Sequence, residues 1–147
     1  MQIIKVTSNK KQYLPLLLLA DEEEAMIDRY LERGTMYVLE DGDVKAECLV
    51  TDEGDGILEI KSLATLPQFQ HRGYAKALVN FIEAKYKRRF KILQAGTGDS
   101  PATVPFYQKL GFVRSHIIKN FFTDNYSRPI YDGGVLLTDM VYLRKRL

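Results

Sequence analysis

The stretch Gln70-His71-Arg72-Gly73-Tyr74-Ala75 lies between a strand-like apolar run, Ile57 to Thr65, and a helix-like run, Tyr74 to Lys87. A glycine-containing turn that opens a helix presents unpaired backbone N–H groups to one point, and the helix dipole adds partial positive charge there. Gly73 allows close approach of the backbone to a ligand. The stretch therefore predicts a phosphate-binding turn. On its own the motif is weak, because many helices begin with glycine and a basic residue.

A second motif lies downstream, Pro105-Phe106-Tyr107-Gln108-Lys109-Leu110-Gly111-Phe112. In this order and at this separation, the two motifs resemble the GNAT N-acetyltransferase superfamily. The first is similar to that family's acetyl-CoA loop, Q/R-x-x-G-x-G/A, and the second to its F-Y-x-K-x-G-F helix end. Leu63-Ala64-Thr65-Leu66-Pro67 resembles the L-A-V-x-P that precedes the loop. The resemblance covers residues 57 to 115.

The resemblance implies an α/β protein with the GNAT fold, in which helices cover both faces of a mixed central sheet of about seven strands. A length of 147 residues suits one domain, and we expect residues 1–147 to form a single acetyltransferase domain. Hydrophobic periodicity predicts strands at Ile3–Val6, Met36–Glu40, Val44–Thr51, Ile57–Thr65 and Lys91–Gly96, with helices at Leu14–Ala20, Glu22–Arg33 and Tyr74–Lys87. The strands that flank the last helix should run parallel, because such crossovers are right-handed.

The last third of the chain predicts a hairpin with a long connection. Two alternating runs, Phe112–Asn120 and Val135–Leu143, read as its strands, and Phe121–Gly134 as the loop between them. The loop holds four aromatic residues, so we expect it to be ordered and functional.

Before this hairpin, Pro105 conflicts with a helix that begins at Ser100, whereas a start at Thr103 removes the conflict and shortens the helix.

Composition excludes several classes of function. A net charge of +2 is too small to indicate nucleic-acid binding. Cys48 is the only cysteine, which excludes an internal disulfide, and its alternating surroundings indicate a small core residue. The N-terminus carries no signal-peptide pattern, and the apolar run Leu14–Ala20 is too short to span a bilayer. We therefore expect a cytoplasmic protein without a membrane partner; its oligomeric state stays open, a homodimer included.

Metal and nucleotide sites have no support in the sequence. Neither His71 nor His116 has a partner at ligand spacing, and His116 alternates within a strand, which indicates a structural role. No P-loop pattern occurs. The predicted site therefore contains no metal.

Acetyl-CoA is the co-substrate that the resemblance implies. In the family, pantetheine pairs with the strand before the loop and the pyrophosphate lies on the loop amides. A cofactor contact also stands at the position of Ser100, where the family often has Asn. The implied cofactor-binding set is Leu63, Ala64, Thr65, Gln70, His71, Arg72, Gly73, Tyr74, Ala75, Lys76, Ser100 and Phe106.

Tyr107 is the general acid that the resemblance implies. A phenol titrates near ~10 and a thiol near ~8.5, so a phenol can protonate a departing thiolate at modest cost. The alternative is a core aromatic in a short helix. Since no cysteine lies in the matched motifs, we expect direct attack of the amine on the thioester in a ternary complex.

Glu59 is the candidate general base, because it lies on the strand that carries the cofactor site. We expect Lys61 and Leu63 to lie on the same face of that strand as Glu59. The alternative interpretation is that Glu59 is a solvated strand carboxylate without a catalytic role. Some relatives have a glutamate on the next strand, where this chain has Gln94, which cannot act as a base. Glu47 and an ordered water remain open as further candidates.

The acceptor is expected to be a primary amine of a small polar or polycationic metabolite. Acidic and aromatic groups suit an ammonium ion, and they occur at Asp21–Glu24 and within Phe121–Gly134. These acids could equally be solvated. Two alternatives stay open, namely a peptide or protein N-acetyltransferase and a non-catalytic acetyl-CoA-binding module.

Overall fold

The computed structural model describes residues 1 to 147 and contains nine strands and five α-helices. The strands are β1 (Gln2–Val6), β2 (Thr35–Asp41), β3 (Asp43–Asp52), β4 (Ile57–Thr65), β5 (Ile92–Gly98), β6 (Val113–Ile118), β7 (Tyr131–Asp132), β8 (Val135–Leu136) and β9 (Met140–Arg146). The helices are α1 (Leu14–Ala20), α2 (Glu24–Ile27), α3 (Tyr74–Tyr86), α4 (Val104–Lys109) and α5 (Phe121–Asn125). No helix is both long and apolar enough to cross a membrane.

Seven strands form one mixed sheet in the order β1-β2-β3-β4-β5-β9-β6. The strands β1 to β4 are antiparallel neighbours, β4 and β5 are parallel, and β9 runs antiparallel to both β5 and β6. The predicted α/β class with a seven-stranded mixed sheet is therefore confirmed. The parallel pair is the one that α3 connects, as the crossover rule predicts.

Helices cover both faces of this sheet and bury a separate apolar cluster on each. On one face, Leu78, Val79 and Ile82 of α3 pack against strand residues that include the buried Cys48. On the other face, Leu17 of α1 and Ile27 of α2 pack against residues of β2 and β3. The central strands are buried on both faces, but only β2 reads as a continuous apolar run, because buried polar residues such as Glu47, Glu59 and Gln94 interrupt the others.

Strands β4 and β5 separate halfway along their length. They pair only from Ile57 with Ile92 to Ile60 with Ala95. Beyond that point β4 continues to Thr65 with β3 as its only neighbour, and β5 continues to Gly98 beside β9. One edge of residues 61–65 is therefore left without a strand partner, and a cleft opens between the two strands.

A β-bulge at Lys61 changes which side chains of β4 share a face. Ser62 pairs with Leu49 and Ile60 with Val50, so Lys61 is the extra residue. Leu58, Ile60 and Leu63 pack into the cluster below α3, and Glu59 points to the opposite face. The expectation that Leu63 shares the face of Glu59 is therefore wrong, because the bulge shifts the alternation by one residue.

The C-terminal region differs from the predicted hairpin. The partner of β6 is β9, which begins at Met140, whereas Val135 and Leu136 pair with Tyr131 and Asp132 in a small separate ribbon. The left-handed Asn120 ends β6, and its N–H binds Oδ1 of Asp139 at 2.8 Å, so hairpin pairing starts only after Asp139. We call residues 121–137, which contain α5, β7 and β8, the cover segment.

Two helices are shorter than the hydrophobic periodicity predicts. The predicted helix Glu22–Arg33 is helical only from Glu24 to Ile27, and tight turns follow it up to Gly34. The helix α4 begins at Val104 with Thr103 as its N-cap, so Pro105 lies in the first turn, where its missing N–H costs no hydrogen bond. The Thr103 start is therefore confirmed.

Candidate active site

The predicted phosphate-binding turn leads directly into α3. His71 and Gly73 both adopt left-handed backbone conformations, with φ of 63° and 87°. The N–H of Ala77 is bonded to the carbonyl of Gly73 at 2.9 Å, so the amides of Tyr74, Ala75 and Lys76 precede the hydrogen-bonded part of the helix. These amides are the unpaired donors that the sequence predicted.

Side-chain contacts hold this turn in place. Nε2 of Gln70 donates to the carbonyl of Thr65 at 3.3 Å, and the hydroxyl of Tyr74 donates to Oδ2 of Asp41 at 2.6 Å. The guanidinium of Arg72 lies over the ring of Phe69, 5.2 Å from its centre. The turn is thus tied to the end of β4 and to the β2–β3 hairpin, with its amides at the start of α3.

The cleft between the separated strands has a volume of about 430 Å³. Its walls include residues 60–63 of β4, Gly96–Gly98 of β5 and Tyr107 of α4, and the cover segment closes it through Phe122, Tyr126 and Ile130. Leu63 lines this cleft, and Ala64 and Thr65 continue the same strand towards the turn. The unpaired edge of β4 therefore runs along the cleft, and the chain then leads from the end of β4 to the free amides at the start of α3.

Tyr107 lies at the wall of this cleft. Its ring contacts Phe106 and Phe112 edge to face, with centres 5.1 and 5.3 Å away, and its hydroxyl makes no hydrogen bond within the chain. Burial raises the pKa of Tyr107 well above that of a free phenol, and nearby Cys48 and Glu47 add to the shift. The phenol therefore stays protonated at neutral pH, and it is a weaker acid than a free tyrosine, so proton transfer to a thiolate costs more than the ordinary pKa values imply.

Glu59 lies at the centre of a polar network across the sheet. Its Oε1 accepts a 2.6 Å hydrogen bond from Nε2 of Gln94, and its Oε2 forms a 2.8 Å ion pair with Nζ of Lys61. Oε1 of Gln94 accepts in turn from Nε of Arg144 at 2.9 Å. Glu59 is 4% exposed, so it is neither a solvated carboxylate nor an unpartnered one.

A smaller pocket of about 260 Å³ adjoins the cleft on the α2 side of the sheet, and we call it the tail pocket. Ile60, Lys61 and Gly96 line both spaces. Glu59 lines the tail pocket and Tyr107 lines the cleft, so the structure places the two candidate catalytic residues on connected but different spaces. Asp21, Tyr126 and Met140 also line both spaces, and the remaining tail-pocket residues are Met26, Arg29, Tyr30, Arg33, Phe121 and Tyr142.

Glu47, the further candidate base, lies behind β4 and lines neither space. Its side chain is fully buried, Oε1 accepts a 2.6 Å hydrogen bond from the hydroxyl of Ser62, and Oε2 has no partner. Burial raises its pKa to about 8, although the Ser62 bond opposes the shift. Glu47 is therefore a buried acid, out of contact with either space.

Ser100 and Phe106, two residues of the implied cofactor-binding set, contact other residues of the chain. Oγ of Ser100 accepts the N–H of Ala102 at 3.0 Å, and Ser100 is buried in the turn before α4. The ring of Phe106 packs on Tyr107 and against the core below α3. Neither side chain lines the cleft.

No local sequence pattern indicates the contacts that hold the cover segment. Asp21 accepts hydrogen bonds from the hydroxyls of Tyr126, at 2.7 Å, and Tyr30, at 3.0 Å. Oε1 of Glu23 accepts both the N–H and the hydroxyl of Ser127, at 2.8 and 2.6 Å. Asp21 and Tyr126 are 105 positions apart, so no local pattern could indicate the pair.

The sequence of this chain matches the model of a known protein family. The family model for the acetyltransferase (GNAT) domain matches residues 32–114, which is more than half of the chain. The protein belongs to the GNAT acetyltransferase family, as its sequence predicted. The matched region includes β4, the phosphate-binding turn, α3 and α4.

Proteins of known sequence or structure resemble the whole chain. An uncharacterized N-acetyltransferase of Bacillus subtilis, YvbK, is 36% identical over 87% of this chain and 84% of its own length. A GNAT family acetyltransferase from Elizabethkingia anophelis, solved with acetyl-CoA bound, is 34% identical with a TM-score of 0.92, over 99% of this chain and 97% of its own. A Bacillus subtilis acetyltransferase in complex with CoA is 32% identical with a TM-score of 0.89, over 99% and 98%.

Proposed function

We propose that this protein transfers the acetyl group of acetyl-CoA to a primary amine of a small acceptor. The observation that carries the proposal is the separation of β4 and β5, which opens a cleft beside an unpaired strand edge that leads to the amides of α3. A pantetheine arm can pair with a free strand edge, and a diphosphate can accept from helix N-terminal amides. The relatives solved with acetyl-CoA and with CoA support this choice of donor.

The proposed cofactor contacts follow the chain from the strand to the helix. The backbone of Leu63, Ala64 and Thr65 would pair with pantetheine, and the amides from His71 to Lys76 would bind the diphosphate. These roles use main-chain groups, so the unusual His71 does not weaken them. Ser100 and Phe106 would contribute through packing, because neither lines the cleft.

The proposed reaction is direct transfer. The amine nitrogen attacks the thioester carbon, the carbon–sulfur bond breaks, and the thiolate takes a proton from Tyr107. The amine must lose a proton to a base, and we propose Glu59, acting through water because it lines the adjoining tail pocket rather than the cleft. An amine with a pKa near ~10.4 is neutral only about once in a few thousand molecules at pH 7, so this proton loss is a substantial part of the barrier.

A small acceptor fits the site better than a protein. The cover segment lies over the cleft and is fastened to Asp21 and Glu23, whereas a peptide substrate needs an open groove. A non-catalytic module is the second alternative, and the hydroxyl of Tyr107 in the cleft argues against it. The polycationic version of the acceptor has less support, because three of the six acids expected to attract it, Asp21, Glu23 and Glu24, already have partners within the chain.

A CoA-release assay across a panel of amines tests the proposal. The panel contains small metabolite amines, peptides with free N-termini and lysine-containing peptides, each with acetyl-CoA. Release of CoA together with acetylation of small amines supports the proposal. Acetylation of peptides alone supports the first alternative, and acetyl-CoA binding without turnover of any amine supports the second.

A further inference from the structure

We propose that the acceptor carries an anionic group in addition to its amine, and that Arg29 binds this group in the tail pocket; this rests on the proposed acetyl transfer. Charged side chains of both signs line the tail pocket. Three cations, Arg29, Arg33 and Lys61, face two carboxylates, Asp21 and Glu59. What matters for a ligand is which of these charges lacks a partner.

Both carboxylates of the tail pocket are already engaged. Asp21 accepts two tyrosine hydroxyls, one on each oxygen. Glu59 is bound by Gln94 on one oxygen and by Lys61 on the other. A cationic tail entering this pocket would have to displace one of these partners.

Two of the three cations are engaged as well. Lys61 is paired with Glu59, and Arg33 forms a 2.8 Å ion pair with Glu53. Arg29 has no carboxylate within ion-pair distance, and its single hydrogen bond goes to the amide oxygen of Asn125 at 3.1 Å. Arg29 is exposed, so most of its donors face solvent and are free to bind a ligand.

The position of Arg29 is set by the cover segment. Nδ2 of Asn125 donates to the carbonyl of Phe121 at 2.8 Å, which turns the amide oxygen of Asn125 towards Arg29. The aromatic rings of Tyr30, Phe121 and Tyr142 form apolar walls of the same pocket. A guanidinium held beside apolar walls is suited to bind a carboxylate through two parallel hydrogen bonds.

The two connected spaces match the two ends of such an acceptor. The amine would lie in the cleft beside Tyr107, where the unpaired acids Glu22 and Asp132 also line the wall. The anionic end would lie in the tail pocket at Arg29. The acceptor class is therefore a small amino acid or another primary amine with a carboxylate or phosphate.

Matched acceptors test this proposal. Phenylalanine and leucine are each compared with the corresponding carboxamide and decarboxylated amine, and phosphoethanolamine with ethanolamine. Acetylated product is measured with acetyl-CoA, and kcat/KM is expressed per neutral amine because the carboxamides are less basic. We expect the anionic member to exceed its neutral partners by about 10- to 100-fold, the range for a charged hydrogen bond. The phosphate pair distinguishes the two anions.

Variants then test the role of Arg29. In Arg29→Gln the preference for the anion should disappear, because kcat/KM for the anionic acceptors should fall, through a higher KM, about 10- to 100-fold more than kcat/KM for the decarboxylated amines. Arg29→Lys should restore part of the preference. Arg88→Gln, which removes an exposed arginine that follows the end of α3 and lines neither space, is the matched control. Thermal melting establishes that each variant is folded.

The possible failures are distinguishable. If neutral or cationic amines are acetylated as well as the anionic ones, the inference is wrong while the acetyltransferase proposal stands. If the anion preference exists but survives in Arg29→Gln, the assignment of Arg29 is wrong. If acetyl-CoA binds and no amine of either panel is acetylated, both proposals fall.

Discussion

Nε2 of Gln94 donates a 2.6 Å hydrogen bond to Oε1 of Glu59, across the last part of the sheet where β4 and β5 still pair. Arg144 donates to the other end of the Gln94 amide, so the amide has one orientation only. The residue that cannot itself act as a base therefore orients the candidate that can. This relationship gives the glutamine on β5 a positioning role.

The role of Glu59 can be tested with Glu59→Gln, which keeps the shape and removes the charge. If Glu59 is the base, directly or through water, kcat should fall strongly at pH 7 and recover as the pH rises, because more neutral amine is then present. If Glu59 only orients the acceptor, KM should rise with kcat nearly unchanged. A pH profile of kcat/KM for both proteins separates these outcomes.

Glu40→Gln on β2 is the control for this experiment, since it removes a carboxylate that lines neither the cleft nor the tail pocket. The acidic limb of the profile should weaken in Glu59→Gln and persist in the control. Superimposable profiles of equal height for all three proteins would show that Glu59 has neither role.

The segment from β4 to α3 could be predicted from the sequence because its signals are local. The bounds Ile57–Thr65 agree with the structure, and the helix begins at Tyr74 as expected. A buried strand, a turn with Gly73 and an amphipathic helix each depend on neighbouring residues. The GNAT prediction required only this segment and the Phe106-Tyr107 motif, and the family match confirms it.

The tail pocket could not be predicted, because distant contacts build it. The run Val135–Leu143 alternates throughout, and only the bond from Asn120 to Asp139 decides where β9 can begin pairing. The acids at Asp21 and Glu23 read as ligands for a cation, yet they bind the cover segment. Sequence patterns show that a residue is charged but not whether the fold has already supplied its partner.

The diphosphate contact at the turn can be tested at Gly73. A Cβ added at Gly73 meets no atom within 4 Å, so a side chain can leave the backbone there without a clash, although the left-handed backbone adds strain of ~1–2 kcal/mol. We expect Gly73→Glu to remove measurable acetyl-CoA binding, because its carboxylate repels the diphosphate. Isothermal titration calorimetry measures the affinity.

Gly73→Asn is the matched control, since asparagine tolerates the left-handed conformation and adds no charge. It should bind acetyl-CoA much more strongly than Gly73→Glu, with both proteins folded by circular dichroism. Affinity of Gly73→Glu equal to that of the unmodified protein would place the diphosphate elsewhere.

The proposed general acid can be tested with Tyr107→Phe. The ring contacts with Phe106 and Phe112 remain, and no hydrogen bond within the chain is lost. We therefore expect unchanged thermal stability and acetyl-CoA affinity, with kcat lower by about 10²-fold. Pre-steady-state kinetics establish that the chemical step is rate-limiting; an unchanged kcat under that condition would return Tyr107 to a packing role.

Glu47 makes the stability of the fold depend on pH in an unusual direction. Its folded-state pKa is raised to about 8 by burial, whereas a glutamate in the unfolded chain titrates near ~4.3. Between these values the unfolded state releases the proton and the folded state keeps it. The free energy of unfolding should therefore fall as the pH rises through this window, by at most ~1.4 kcal/mol per pH unit from this group.

Glu47→Gln removes this dependence, because the amide stays neutral and can still accept the hydrogen bond from Ser62. The difference in unfolding free energy between Glu47→Gln and the unmodified protein should grow in favour of the variant from pH 5 to pH 8, and level off above pH 8. Urea denaturation at pH 5, 6, 7, 8 and 9 measures it, with Glu40→Gln, at a half-buried glutamate of β2, as the control for the substitution itself. A difference that stays constant across the series would mean that Glu47 is ionised in the folded protein, with a cation or ordered water compensating its buried Oε2.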